Sequence, residues 1–257
     1  MASELLIAVF VDFENLALGV KDLKSSEDFR IELILKRLLE KGRIVYKRAY
    51  CDWGRYRSSV RTFHTQGIEL VDIPQSKLSG KNSADIRMVV DALDLCYAKS
   101  HIDVFALISG DSDFSPLVSK LKENDKRVIG CGVKSSTSGL LVGSCDEFIY
   151  YDDLVSAAEP KKSPPRRTKS KAKPKADDAK QTAMDQLLGI VASLEDEYDP
   201  LWGSLVKQTL RRVHPDFREA HYGFKTFAEL LREAEKRGLI RLDYDEARGN
   251  YKIRSKA

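Results

Sequence analysis

Through the first 150 residues, short apolar runs alternate with segments whose apolar residues recur three and four apart. The runs 5-LLIAVFVDF-13, 44-IVYKRAY-50, 68-IELVDI-73, 104-VFALIS-109, 127-RVIGCGV-133 and 147-EFIYY-151 predict β-strands. Between them, 30-RIELILKRLLEKG-42 places Ile31, Ile34, Leu35 and Leu38 on one helical face and stops at Gly42. The stretches 57-RSSVRTFHTQG-67, 84-ADIRMVVDALDLCYAK-99 and 116-PLVSKLKEND-125 predict three more helices, the last opening on a proline suited to a first turn. Such alternation implies an α/β domain with a mostly parallel sheet covered by helices on both faces. Functional loops in that architecture lie at the carboxyl ends of the strands.

After residue 180 the pattern changes. Met184, Leu187, Leu188, Val191 and Leu194 mark a helix over 183–197. A second helix is expected from about Ser204 to just before Pro215, and a third over 226-TFAELLREAEKRG-238. The final stretch, 239-LIRLDYDEARGNYKIRS-255, alternates like a hairpin turning at Arg248-Gly249-Asn250. Three helices and a β-wing predict a small winged helix-turn-helix domain.

Charge separates these two regions. Residues 1–160 hold 21 Lys and Arg against 24 Asp and Glu, and residues 181–257 hold 13 of each. Residues 161–180 hold 9 against 2, so the net charge of +4 comes from one segment rich in Pro, Lys, Arg and Ser. That composition cannot bury a core. The expected division is a domain over 1–157, a basic disordered linker over 158–180 able to attract phosphate, and a domain over 181–257. No apolar run is long enough for a membrane span, and the first residues show no signal-peptide pattern. A cytoplasmic protein with no membrane partner is expected. Cys51, Cys96, Cys131 and Cys145 have no metal-ligand spacing and read as reduced thiols.

The chemistry concentrates at two strand ends. Asp12 closes an apolar strand in V-D-F-E-N, and Asp111 and Asp113 follow another in S-G-D-S-D. Asp85 lies in the first turn of the helix between them. Taken singly, each acid could be a cap, worth about 0.3–1 kcal/mol at a helix N-terminus. Were the first strand to lie beside the fourth, Asp12 and Asp111 would be neighbours. Carboxylates ~4 Å apart repel by about 4 kcal/mol at an effective dielectric of ~20. Such a cluster must protonate, spread or hold a cation, and an all-oxygen set selects Mg²⁺ or Mn²⁺. Phosphate would supply further ligands, which points to metal-assisted phosphodiester hydrolysis.

The motifs D-F-E-N (12–15), K-N-S-A-D-I-R-M-V-V-D (81–91) and S-G-D-S-D-F (109–114) resemble the NYN domain, a PIN-like ribonuclease group that includes LabA-type proteins. The resemblance covers about residues 5–153. It implies a PIN-like Rossmannoid sheet with Asp12, Asp85, Asp111 and Asp113 as metal ligands. It also implies that Asn15 orients Asp12 or binds substrate, and that Ser109 supports the carboxylates. Asp91 matches a family position but lies about 240° round the helix from Asp85. Lys81 is a candidate contact to the scissile phosphate, or a solvated loop lysine. A Toprim-like site shares the D-x-D pattern but usually has glutamate where Asp12 stands.

Residues 182–255, with H-P-D-F and Y-G-F-K-T-F, resemble the OST-HTH or LOTUS domain. That likeness implies RNA binding or docking of a protein partner. Lys207, Arg211, Arg212, Lys225 and Arg248 are the contact candidates, while most of Trp202, Phe217, Tyr222, Phe224 and Phe227 are expected in the core. A metal-dependent ribonuclease acting on RNA, with pairing into a homodimer left open, is the first expectation. An RNA-binding or docking adaptor with a weak or inactive site is the alternative.

Overall fold

The computed structural model describes residues 4–21, 29–74, 82–158 and 176–255. The chain divides into two compact units, one holding the elements up to Ala158 and the other those from Ala176 onward.

The first unit begins with β1 (Leu6–Asp12), α1 (Phe13–Lys21), α2 (Ile31–Lys41), β2 (Arg43–Cys51), α3 (Arg57–Thr65) and β3 (Glu69–Asp72). It continues with α4 (Ser83–Ala98), β4 (Val104–Ile108), α5 (Ser115–Glu123), β5 (Arg127–Gly132), α6 (Gly139–Ser144), β6 (Glu147–Tyr150) and α7 (Tyr151–Ala158). The six strands form one sheet in the order β3-β2-β1-β4-β5-β6, every neighbour parallel. The expected α/β fold is thus present, with β1 beside β4. All six strands lie within a residue or two of the apolar runs that predicted them.

Burial on both faces explains why β1 and β4 read as unbroken apolar runs. Ile7, Val9 and Val11 pack with α1, α2 and α3 through Leu16, Ile34, Leu38 and Phe63. Ala8 and Phe10 pack with α4, α5 and α6 through Met88, Val118 and Leu141. Three helices, α1, α6 and α7, were not among those predicted by apolar spacing. The start of α1 continues directly from the apolar run of β1, so its Phe13 and Leu16 read as strand and then as loop.

The second unit contains α8 (Ala176–Glu195), β7 (Leu201–Trp202), α9 (Gly203–Val213), α10 (Phe227–Lys236), β8 (Ile240–Asp245) and β9 (Asn250–Ser255). Its antiparallel sheet has the order β7-β9-β8. Helix α8 starts earlier than its apolar stripe and takes in residues 176–180, which composition had assigned to the linker. The rest of the linker, 159–175, lies outside the described residues. Met184, Leu187, Val191, Val206, Leu210, Leu231 and Ile253 share one core. Thr226 caps α10 by accepting from the Glu229 N–H at 3.2 Å, and Glu229 reaches back to the Lys225 N–H at 2.7 Å. Phe217, Phe224 and Phe227 are buried, as expected for so small a domain, whereas Trp202 and Tyr222 are half-buried.

Candidate functional site

In the order 3-2-1-4-5-6 the connections reverse direction between β1 and β4. Doubly wound sheets open a ligand crevice at that point, outside the carboxyl ends of the strands. Asp12 is the last residue of β1, and Val11 pairs with Ile108, so Asp12 and Ser109 leave the sheet side by side.

A chain of hydrogen bonds joins the two strand ends. The Ser109 hydroxyl donates to Asp12 Oδ2 at 2.8 Å and accepts from the Asp111 N–H at 3.1 Å. The Asn15 N–H donates to Asp12 Oδ1 at 3.3 Å, and Asn15 Oδ1 accepts from the Gly110 N–H at 2.9 Å. Asp111 Oδ1 accepts from the Asp113 N–H at 2.9 Å, so its capping role is real as well. Gly110 is required by crowding, because a Cβ there would lie 2.4 Å from Ser136 O and 2.8 Å from Thr137 Cα.

The electrostatics are those of a cluster short of cations. The Asp12 carboxyl is pushed up to about 7: burial raises it most, the Ser109 and Asn15 hydrogen bonds oppose that, and Asp85 and Asp111 add to it. Asp85 is raised by burial and then by Asp111, Asp113 and Glu14. Asp12, Asp85, Asp111 and Asp113 therefore share one electrostatic neighbourhood, which supports grouping them. Its donors are all carboxylates, the chemistry of a hard divalent ion. Among the described residues, however, no three His, Cys, Asp or Glu side chains are grouped closely enough to hold a metal ion.

Two residues escaped the sequence reading. Glu14 acts electrostatically on Asp85, and the Arg55 guanidinium stands 3.7 Å from Glu14 Oε1. The rule that pointed to the ends of β1 and β4 would have found Arg55, had it been applied to the end of β2.

The other candidates lie elsewhere. Asp91 is buried against the Tyr50 hydroxyl (2.9 Å), Arg48 (3.0 Å) and Arg87 (2.9 Å), a structural network. Lys81 lies outside the described residues. In the second unit, Lys207 and Arg211 face Glu219 at 3.7 and 3.1 Å. Arg212 donates to the Thr209 hydroxyl at 3.1 Å. A cleft of about 440 Å³ brings Arg211 and Lys225 together with Phe217, Arg218 and Glu219. Arg248 lies apart from that cleft, at the hairpin turn, 4.9 Å from the centre of the Trp202 ring.

Comparison with known proteins gives this site a family. An uncharacterised protein of Methanocaldococcus jannaschii, MJ0482, is 29% identical over 143 residues, 56% of this chain. The match takes in 54% of that relative, so the chain spans about half the relative's length. The crystal structure of a Vibrio parahaemolyticus protein of unknown function, VPA0982, superposes with a TM-score of 0.52 at 25% identity. That match covers 60% of this chain and 97% of the Vibrio chain. The NYN domain matches residues 6–152, the span that contains the six-stranded sheet and all four clustered aspartates. The chain belongs to the NYN domain family, a group of PIN-like nucleases.

Proposed function

We propose that this chain is a divalent-metal-dependent ribonuclease that hydrolyses RNA phosphodiester bonds at the crevice between β1 and β4. The observation that carries this reading is the electrostatic coupling of Asp12, Asp85, Asp111 and Asp113 at the switch point of the sheet. Burial and the neighbouring carboxylates disfavour the charged forms of Asp12 and Asp85 unless a cation joins them. They would hold Mg²⁺ or Mn²⁺, which when bound supplies Lewis-acid stabilisation of the phosphoryl oxygens and an activated water. Ser109 holds Asp12 through its hydroxyl, and Asn15, in the first turn of α1, ties that helix to Gly110 in the loop after β4. Both fix the spacing of the two acidic arms.

The second unit, as a winged helix-turn-helix of OST-HTH type over 181–257, would bind RNA. Helices α9 and α10 followed by the β8–β9 hairpin support that reading, as does the cleft lined by Arg211, Arg218 and Lys225. Lys207, Arg212 and Arg248 would add phosphate contacts, and the basic linker would raise local RNA concentration. No helix among the described residues is long and apolar enough to cross a membrane.

The test is cleavage of a labelled single-stranded RNA by the full chain in Mn²⁺, in Mg²⁺ and in EDTA, beside the Asp111→Asn variant. Cleavage lost in EDTA and in the variant is expected. Cleavage that persists in both would exclude the aspartate cluster as its source. A second reading, an RNA-binding or docking adaptor, is favoured by one observation: the carboxylates stand without a closed ligand set. RNA bound but never cut, with binding indifferent to metal and to Asp111, selects it.

A further inference from the structure

We infer that Arg55, Arg57 and Arg61 form a phosphate track for a single-stranded RNA leaving the carboxylate crevice. The inference rests on the RNA reading above and gives the first unit its own strand-binding surface. The track begins at the carboxyl end of β2, beside the crevice. There a tight turn is fixed on several sides: Asp52 Oδ1 accepts from the Gly54 N–H at 3.1 Å, and Asp52 O accepts from the Arg55 N–H at 3.1 Å. The Trp53 N–H donates to Asp72 Oδ1 at the end of β3, at 3.0 Å. Trp53 itself is buried on Phe13, with ring centres 5.2 Å apart, so the turn is anchored to the residue that follows Asp12. Arg55 emerges from this rigid base with its side chain 56% exposed and its guanidinium 3.7 Å from Glu14 Oε1.

Helix α3 carries the basic surface onward. Arg57 and Arg61 are exposed and one helical turn apart, while Phe63 of the same helix is buried in the core. The outward direction of the arginines is therefore fixed by packing. Their placement is unfavourable in the folded chain alone. Like charges four residues apart on a helix repel. Arg57 also stands at the positive end of the helix dipole, and the first turn of α3 has no acidic residue. Among the described residues neither arginine has a carboxylate partner, whereas Arg48, Arg87, Arg127, Arg211 and Arg237 each pair with one. A polyanion relieves all of these conflicts together, and guanidinium groups suit phosphate. A strand whose scissile phosphate sits among four carboxylates also needs cationic contacts on its flanking phosphates. Charge complementarity thus selects an RNA backbone as the occupant.

The test is the binding of a fluorescein-labelled oligouridylate to the full chain carrying Asp111→Asn, in EDTA, followed by anisotropy across a salt series. Replacing both Arg57 and Arg61 by alanine should weaken binding roughly ten-fold and reduce the slope of log Kd against log salt by about 1.4, two single-strand phosphate contacts. The double lysine variant should keep most of that slope, which separates a charge effect from a folding effect. An unchanged slope in the alanine variant, or no RNA binding by the full chain, overturns the track. Failure of the nuclease reading looks different: cleavage is absent with the Arg57/Arg61 slope effect intact.

Discussion

Asp12 and Asp91 show almost the same surface exposure in the same unit, 6% and 8%, but Asp12 lies the deeper beneath surrounding atoms and their carboxyls move in opposite directions. For Asp91, burial pushes the carboxyl up, but the Tyr50 hydroxyl and the Arg87 and Arg48 guanidiniums outweigh it and hold the group below the usual carboxylate range. Asp12 has a serine hydroxyl and one peptide N–H against burial and two nearby aspartates, and it rises to about 7. Surface exposure alone therefore does not separate the two acids; depth and the partner set together do. Asp91 and its donors are satisfied within the fold. The cluster around Asp12 is satisfied only by a proton or by something the chain itself lacks.

That contrast can be broken by experiment. The largest effect expected is on the Asp12 side: Asp111→Asn should lower RNA cleavage by ~100-fold or more, about 2.7 kcal/mol or above, with little change in melting temperature. On the other side, Asp91→Ala should destabilise the first unit by about 2–3 kcal/mol, measured by urea unfolding, because it strands the Tyr50 hydroxyl and leaves Arg48 with Glu69 alone. A cleavage defect in Asp91→Ala beyond that explained by unfolding would erase the distinction.

Asp12→Asn sharpens it through pH. A carboxyl raised in the folded state binds its proton more tightly there than in the unfolded chain. The native protein in EDTA should thus lose stability as pH rises from about 4 through about 7. The Asn variant lacks that loss, so it should be the more stable protein at pH 7.5, by about 1–2 kcal/mol, and should show no such advantage at pH 4. A variant no more stable than the native chain at pH 7.5 would show that Asp12 is not held out of ionisation. The smallest effect belongs to Ser109→Ala, which removes the 2.8 Å hydrogen bond that favours the Asp12 carboxylate. About 1 kcal/mol is expected, read as a further upward move of the Asp12 titration by NMR.

Much of the fold was legible along the chain because burial on both faces forces strands to be continuously apolar, and one-sided burial gives helices their three-and-four spacing. The strand ends, and with them Asp12, Asp111 and Asp113, could be located for the same reason. Helix α1 was not legible, because no turn residue separates it from β1 and Phe13 continues the apolar run. In the second unit, the helices and hairpin were visible, but the pairing of Lys207 and Arg211 with Glu219 was not, since those residues meet only after folding.

Local hydrophobic pattern sets element boundaries, and so fixes where the acids lie relative to their own strands and helices. Which acids share a field follows instead from how the elements pack. Strand order placed β1 against β4, and the packing of α4 brought Asp85 towards Asp111 while turning Asp91 onto Arg48. Electrostatic coupling falls off over a few ångströms, and distances on that scale between residues 97 positions apart, such as Asp12 and Ser109, are set by the fold and not by the spacing along the chain.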